Sequence, residues 1–212
     1  MSSLIIEHLP VGLLQCNCII LGDPRTGKAL VVDPGDEVEK IAAVLERRRL
    51  TVAAIAVTHA HIDHVGGLAG LRQLSGAPTM MHEADVPLYA ELATQAQFLG
   101  VPAPPAATVD RYLADGDRID FGAAAAMVEH TPGHTPGSVS FIIGSDAPLV
   151  LSGDTLFAGG IGRTDLWGGS FDDIIRSIKT RLLALPDDAP VVPGHGPPTT
   201  IGFERQTNPF LT

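Results

Sequence analysis

Residues 58–64 read THAHIDH, three histidines and an aspartate within seven residues of a chain that has eight histidines in all. The run VAAIAV (52–57) leads straight into it. A short continuous apolar run without polar alternation reads as a strand buried on both faces. Such a strand needs cover above and below, and here its end opens on a cluster of polar ligand-type side chains. In an extended segment His59 and His61 project to the same side. Asp63 and His64 begin the turn of helix that follows and face a second point nearby, so the motif offers two pairs of ligands side by side. Imidazole and carboxylate donors suit zinc, iron and manganese; the absence of cysteine from the motif argues against a purely structural zinc site.

Further ligand types lie downstream. His134 sits in EHTPGHTPGS, a tight turn after a strand; Asp154 ends the apolar run PLVLSGD; His195 lies in VVPGHGPP, just past another strand. Each is isolated at a strand exit and flanked by Gly or Pro, and strand exits at one sheet edge are where open α/β folds gather their sites. One histidine after a strand is usually nothing, but several such positions together with HxHxDH are hard to assign to packing. The set reads as a dinuclear metal site. His8 and His82 lie at strand ends without ligand company and read as ordinary. His130, close to His134, reads as a structural hydrogen-bonding residue.

Around these positions strands and helices interleave. LIIEHL, QCNCIIL (15–21) and ALVVD (29–33) read as strands bounded by turn signals at GDPRTG and DPGD. DEVEKIAAVLERRR (36–49) reads as a helix with Asp36 as cap, Glu39 at the box position, and Val38, Ile41 and Leu45 on the buried stripe. Its RRR end reads as a solvated terminus. VGGLAGLRQL and 83–99 are helices, PTMMH (78–82) a strand, and GVPAPPAATVD a connector. AAAAMVEH (123–130), SVSFIIG, APLVLSGD and APVVPGH are strands. SFDDIIRSIKTRLLAL is a helix with a Ser170/Asp173 capping box and Phe171, Ile174, Ile175, Ile178 and Leu182 on one face. With no linker-like boundary, the pattern predicts one layered α/β domain over 1–212. Cys16 and Cys18 share one face of a strand and read as two reduced, packed thiols. With 14 basic against 24 acidic residues the formal charge is −10, which gives no electrostatic reason to seek nucleic acid or anionic membrane. The N-terminus has no basic region or small-residue cleavage site, so no signal peptide is read. No apolar run is long enough to span a bilayer. The expected location is cytoplasmic.

HxHxDH, a strand-exit histidine, SGDTLF and PGHGP, in this order, resemble the metallo-β-lactamase-fold hydrolases over essentially the whole chain. The resemblance implies a four-layer αββα sandwich with a metal site at one edge of its two sheets. By matching positions it implies that His59, His61 and His134 hold one metal, that Asp63, His64 and His195 hold the other, and that Asp154 bridges them. Asp33, in VVDPGD, matches the family's early aspartate and is expected behind the ligands, supporting their geometry. Zinc leads among the two divalent ions, with iron or manganese as alternatives.

Two metals sharing a carboxylate can trap a bridging water and lower its pKa to roughly 7. The resulting hydroxide attacks a carbonyl that one metal polarises, with Asp63 and Asp154 orienting it. An amine leaving group needs a proton. A thiolate, with a parent pKa near 8.5, leaves without strong acid help, which fits a thioester. GGIGRTDLWGG (159–169) and TIGFERQTNPFL (200–211) resemble the glyoxalase-II-like branch and its relatives, the persulfide dioxygenases. The chain ends soon after His195, as in short bacterial glyoxalase-II-like proteins, without the C-terminal helical domain of full-length glyoxalase II. The expected activity is hydrolysis of an S-acylglutathione such as S-lactoylglutathione. The alternatives are a mononuclear-iron persulfide dioxygenase, with iron on His59, His134 and Asp154, and a lactone hydrolase. A secreted β-lactamase and an RNA-processing enzyme fit poorly. Arg163 is a candidate for a substrate carboxylate, with a salt bridge to Asp165 as its structural alternative. The expected partner is a small-molecule thioester, with no nucleic acid and no membrane. Oligomeric state is not read.

Overall fold

The computed structural model describes residues 4–145 and 148–212. Six strands form the first sheet: β1 (Ile5–Val11), β2 (Cys16–Asp23), β3 (Lys28–Val32), β4 (Thr51–Ala56), β5 (Thr79–His82) and β6 (Arg111–Leu113). They lie in sequence order, antiparallel from β1 to β3 and parallel from β3 to β6. The parallel crossovers carry the helices α1 (Val38–Arg48), α2 (Ile62–Val65), α3 (Leu68–Ser75), α4 (Val86–Ala90) and α5 (Leu92–Leu99).

The second sheet takes β7 (Arg118–Phe121), β8 (Ala124–His130), β9 (Val139–Ile143) and β10 (Leu149–Gly153). A two-strand ribbon, β11 (Leu156–Phe157) with β12 (Gly160–Ile161), and the helix α6 (Phe171–Ser177) precede β13 (Pro190–Pro193), β14 (Thr199–Thr200) and α7 (Ile201–Thr207). The strand order is β14-β13-β10-β9-β8-β7.

Three buried clusters mark the layer contacts. Between the sheets lie Leu21, Leu30, Ala54 and Ala56 with Phe121 and Phe141. The outer face of the first sheet, with Ile20, Val31 and Ile55, packs against Ile41 and Leu45 of α1 and Leu68 and Leu71 of α3. Val150 and Val191 of the second sheet pack against Ile174, Ile178 and Ile201. This is the expected αββα sandwich. After Thr51, β4 is apolar because Ile55 faces the helices while Ala54 and Ala56 face the other sheet. No helix among the described residues is long and apolar enough to cross a membrane.

Several local expectations are corrected. The Asp36 cap and Glu39 box do not form. The helix begins at Val38 after Glu37, which has left-handed backbone (φ 49°) and makes no side-chain cap. Asp36 Oδ1 accepts only from the Glu37 N–H at 2.7 Å, and Glu37 Oε2 instead accepts from the Gly12 N–H in the β1–β2 turn. Glu37 therefore serves the β1–β2 turn, and neither acid caps the first helical N–H groups. The helix expected over 83–99 breaks into a 3₁₀ turn (Glu83–Asp85), α4 and α5, with Pro87 in the first turn of α4. The Ser170 cap does form, accepting from Asp173 N–H. Phe171, however, is 51% exposed, whereas Ile174, Ile178 and Leu182 are buried. The last turn, Ile178–Leu182, widens to a π-helix. In APLVLSGD the strand covers Leu149–Gly153; Ala147 lies outside the described residues, as do Met1–Ser3 of the N-terminal stretch.

Candidate metal centre

The ends of four strands meet at one edge of the sandwich. His59 and His61 follow β4, and Asp63 and His64 ride on α2; His134 follows β8, Asp154 follows β10, and His195 follows β13. The structure brings all seven together. His59, His61 and His134 form one group and Asp63, His64 and His195 a second; His59, His64 and Asp154 form a set joining them, with one donor atom per residue within 4.8 Å of the others in each. His61 Nδ1 is 2.9 Å from His134 Nε2, and His64 Nε2 is 3.2 Å from His195 Nε2. Asp63 Oδ2 is 3.0 Å from His195 Nε2. Asp154 stands between the groups, Oδ1 3.5 Å from His64 Nε2 and Oδ2 3.6 Å from His134 Nε2.

The nitrogen each ring presents follows from what holds the other one. Thr58 Oγ1 donates to Asp33 Oδ2 at 2.7 Å, so its lone pair accepts from His59 Nδ1 at 3.1 Å. His64 Nδ1 pairs with the same Asp33 oxygen at 2.9 Å. His134 Nδ1 donates to the Arg163 carbonyl at 2.8 Å, and His195 Nδ1 to the Leu14 carbonyl at 2.9 Å. Four rings are thereby oriented with Nε2 free for the centre. His61 is the exception and turns Nδ1 toward the group. Burial holds His59 well below the ordinary imidazole range. Burial, with His134 close by, brings His61 down to about 3. Both are neutral donors at neutral pH, the form a cation needs. Burial opposes ionisation of Asp63, but His64 and His195 hold it well below the usual carboxylate range.

His59 Nε2 and Asp154 Oδ1 are buried without a hydrogen-bond partner. An unpaired buried polar atom costs about 1–3 kcal/mol, and both atoms belong to residues of the joining set. A Cβ at Gly194 would stand 2.1 Å from Asp154 Oδ1 and 2.7 Å from His64 Cε1, so only glycine admits this carboxylate here. Against the effect of burial, neighbouring carboxylates push His64 and His195 up, so positive charge is favoured where these rings face Asp63 and Asp154. Two neutral imidazoles, an ionised Asp63 and two orphaned polar atoms fit bound divalent cations.

Asp33 lies behind the two groups of candidate ligands. It serves both groups, reaching His64 directly and His59 through Thr58, and also accepts from Thr58 N–H at 2.6 Å. Arg163 does not offer a free guanidinium: Nε and Nη2 bind Asp165 at 2.9 and 2.8 Å. Its carbonyl, by holding His134, is the part that touches the centre.

Cys16 and Cys18 are free and buried, and burial pushes the Cys16 thiol up to about 12. The packed-thiol reading holds with one addition: Cys16 Sγ lies 3.5 Å from His64 Nδ1. His130 forms the expected structural hydrogen bond, to the Pro136 carbonyl at 2.9 Å. His82 is less ordinary than expected, since it stacks on His130 with centroids 4.2 Å apart.

Three supporting residues escape the sequence reading. Asn17 Nδ2 donates to the Pro193 and Gly196 carbonyls, fixing the His195 loop. Thr58 relays Asp33 to His59. Asp85, fully buried, ties two ligand loops together: Oδ2 accepts from Ala60 N–H at 2.9 Å and Thr135 Oγ1 at 2.8 Å, and Oδ1 accepts from Gly137 N–H at 2.6 Å. Asp85 is itself a carboxylate just past a strand, the signal that marks Asp154, but no histidine pattern surrounds it in the sequence.

Beside the cluster opens a cavity of about 540 Å³.

Comparison with known proteins agrees with this geometry. Residues 11–195 match the family model described as the metallo-beta-lactamase superfamily. Hydroxyacylglutathione hydrolase GloC of Haemophilus influenzae is 39% identical over 208 residues, covering 97% of each chain. The probable metallo-hydrolase YqgX of Bacillus subtilis is 39% identical over 210 residues, 97% of this chain and 96% of that one. The crystal structure of BLEG-1 B3 metallo-beta-lactamase superposes with a TM-score of 0.91 at 37% identity, covering 98% of this chain and all (100%) of that one. TTHA1623 in a di-iron-bound form gives a TM-score of 0.87 at 42% identity over 97% of this chain and 100% of that one.

Proposed function

The chain belongs to the metallo-beta-lactamase superfamily, and on that premise we propose that it is a dinuclear metal-dependent hydrolase of thioesters. The observation that carries the reading is Asp154, whose carboxylate reaches both histidine groups: Oδ1 lies 3.5 Å from His64 Nε2, and Oδ2 lies 3.6 Å from His134 Nε2 and 3.9 Å from His195 Nε2. His59, His61 and His134 would hold one cation and Asp63, His64 and His195 the other, with Asp154 shared. When bound, the cations supply an acidified water and a Lewis acid for a carbonyl. The chain's own part is positional. Asp33, through His64 and Thr58, fixes two rings; the Arg163 and Leu14 carbonyls fix two more. Asp63, beside His64 and His195, and Asp154, between the two groups, would take and hold the proton of an attacking water. Among the residues lining the cavity beside the centre, none outside the ligand set is an acid positioned to protonate an amine, which favours a leaving group that departs as a thiolate.

The likeness to GloC supports an S-acylglutathione, S-lactoylglutathione first, as the substrate class. Zinc suits the donor set; iron suits it equally, and the di-iron form of TTHA1623 supports iron here. The test is thiol release from S-lactoylglutathione by protein loaded with zinc or with iron, beside a β-lactam and a lactone, with dioxygen uptake followed on glutathione persulfide. Metal-dependent thiol release without oxygen uptake supports the proposal. Oxygen uptake without thiol release would overturn it in favour of the oxygenase.

A further inference from the structure

The cavity beside the metal centre has walls of an unexpected kind for a peptide-bearing substrate. Leu14, Phe98, Leu99, Phe157, Leu166 and Trp167 line it. Phe98 is 84% exposed and Trp167 52% exposed, so large apolar side chains stand open at the mouth. Its polar side chains outside the ligand cluster are already engaged. Gln95 accepts from Ile62 N–H and donates to the Ala60 and Leu88 carbonyls. Thr94 donates to Glu91. Arg163 is the one Lys or Arg among the described residues lining this cavity and the smaller one beside it, and its guanidinium is paired with Asp165.

A charged arm laid against the wall away from the centre would leave water and find no free countercharge there, which is costly. An apolar arm would gain roughly 25 cal/mol for each Å² it removes from water. The volume suits such a ligand, since small-molecule pockets run to about 300–1,000 Å³ with mostly apolar walls. We propose that this cavity selects thioesters carrying an uncharged apolar arm, aromatic or branched aliphatic, over those whose arms are all polar or charged. The inference rests on the thioester reading of the neighbouring centre. Either the acyl or the thiol side of the substrate could supply the arm; the chemistry is the same, and the experiment separates them.

The experiment compares three thioesters on the metal-replete protein: S-lactoylglutathione, S-phenylacetylglutathione, and the lactoyl thioester of benzyl mercaptan. The expected result is that at least one replacement raises kcat/KM about tenfold, equivalent to roughly 1.4 kcal/mol, and that Phe98→Ser narrows the difference. The replacement that gains identifies the arm. S-lactoylglutathione matching or exceeding both would overturn the proposal. Binding is read separately from Trp167, the only tryptophan in the chain, by titrating its emission with two non-hydrolysable thioethers. A neutral benzyl thioether should bind about tenfold tighter than S-methylglutathione; equal or weaker binding would overturn the inference. If none of the three thioesters is hydrolysed, the thioesterase reading fails and the emission titration alone decides what the cavity accepts.

Discussion

At the scale of single residues, the centre depends on groups that do not face the reacting atoms. Asp85 is the clearest case. Its carboxylate accepts from the N–H between His59 and His61 and from the loop that presents His134. Asp85→Asn sets an amide N–H₂ against donors that need an acceptor. The expected cost is on the order of 3 kcal/mol, since at least one buried donor loses its partner, read as a lower urea midpoint of the metal-free protein. The same variant should bind about one metal fewer per chain, because it loosens the His59/His61/His134 group and leaves Asp63, His64 and His195 in place. Unchanged metal content would show that the clamp does not position ligands. Gly194→Ala should likewise weaken metal binding, by forcing Asp154 and His64 apart, which metal analysis after dialysis checks. The seven ligand-type residues are legible in the sequence because few side chains can bind a cation and these ones cluster or sit at strand exits. Asp85, Thr58 and Asn17 are not legible in that way. Their work is hydrogen bonding to backbone or side-chain groups that only the fold brings near, in the case of Asn17 to carbonyls 176 and 179 residues away.

At the scale of elements, two turns join the sheets. Asp23, at the end of β2, accepts from Arg25 N–H, Thr26 Oγ1 and, across the sandwich, Ala123 N–H in the β7–β8 turn. The Ala123 and Arg25 N–H bonds and Thr26 hold its carboxyl below the usual range. A depressed carboxyl contributes stability above its unfolded pKa, near 3.9, and loses it as pH falls through the folded value. Asp23→Ala should therefore lower Tm at neutral pH, with the gap to the parent closing below about pH 4; a gap constant across that range would contradict the assignment. Gly122 beside it has φ +79°, and a Cβ there would meet Thr26 Oγ1 at 2.1 Å, so this turn admits only glycine. The Ser170 cap was readable because capping chemistry is local: Ser170→Ala should cost about 1 kcal/mol, seen in the urea midpoint. The Asp36 cap misled because Glu37 enters α1 in a left-handed conformation that no residue pattern announces. Phe171 misled because helical spacing fixes a stripe but not where the neighbouring layer ends.

At the scale of the whole molecule, two sheets and their helices make four layers with three buried clusters between them, and the centre lies at one edge. The alternation of strands and helices foretold the layers, and the motif order foretold the edge. The short strands β6, β7, β11, β12 and β14 and the helix α7 went unread, because elements of two to four residues, or polar ones, carry little periodic signal. Phe141, fully buried between the sheets, should cost about 3–5 kcal/mol when cut to Ala, lowering Tm without abolishing metal binding. The −10 charge and the orphaned atoms of the centre imply that cations stabilise the fold. Metal at a hundredfold excess over its Kd should add about 2.7 kcal/mol, so chelation lowers Tm and re-addition restores it.

The proposed thioesterase activity rests on two cations shared through Asp154. Its most direct test is thiol release from S-lactoylglutathione as the metal-free protein is titrated with zinc or iron, beside Asp154→Ala. Activity should rise with filling of the second site and be lost in the variant while the fold persists. No thiol release with both sites filled, or full activity in Asp154→Ala, would contradict it.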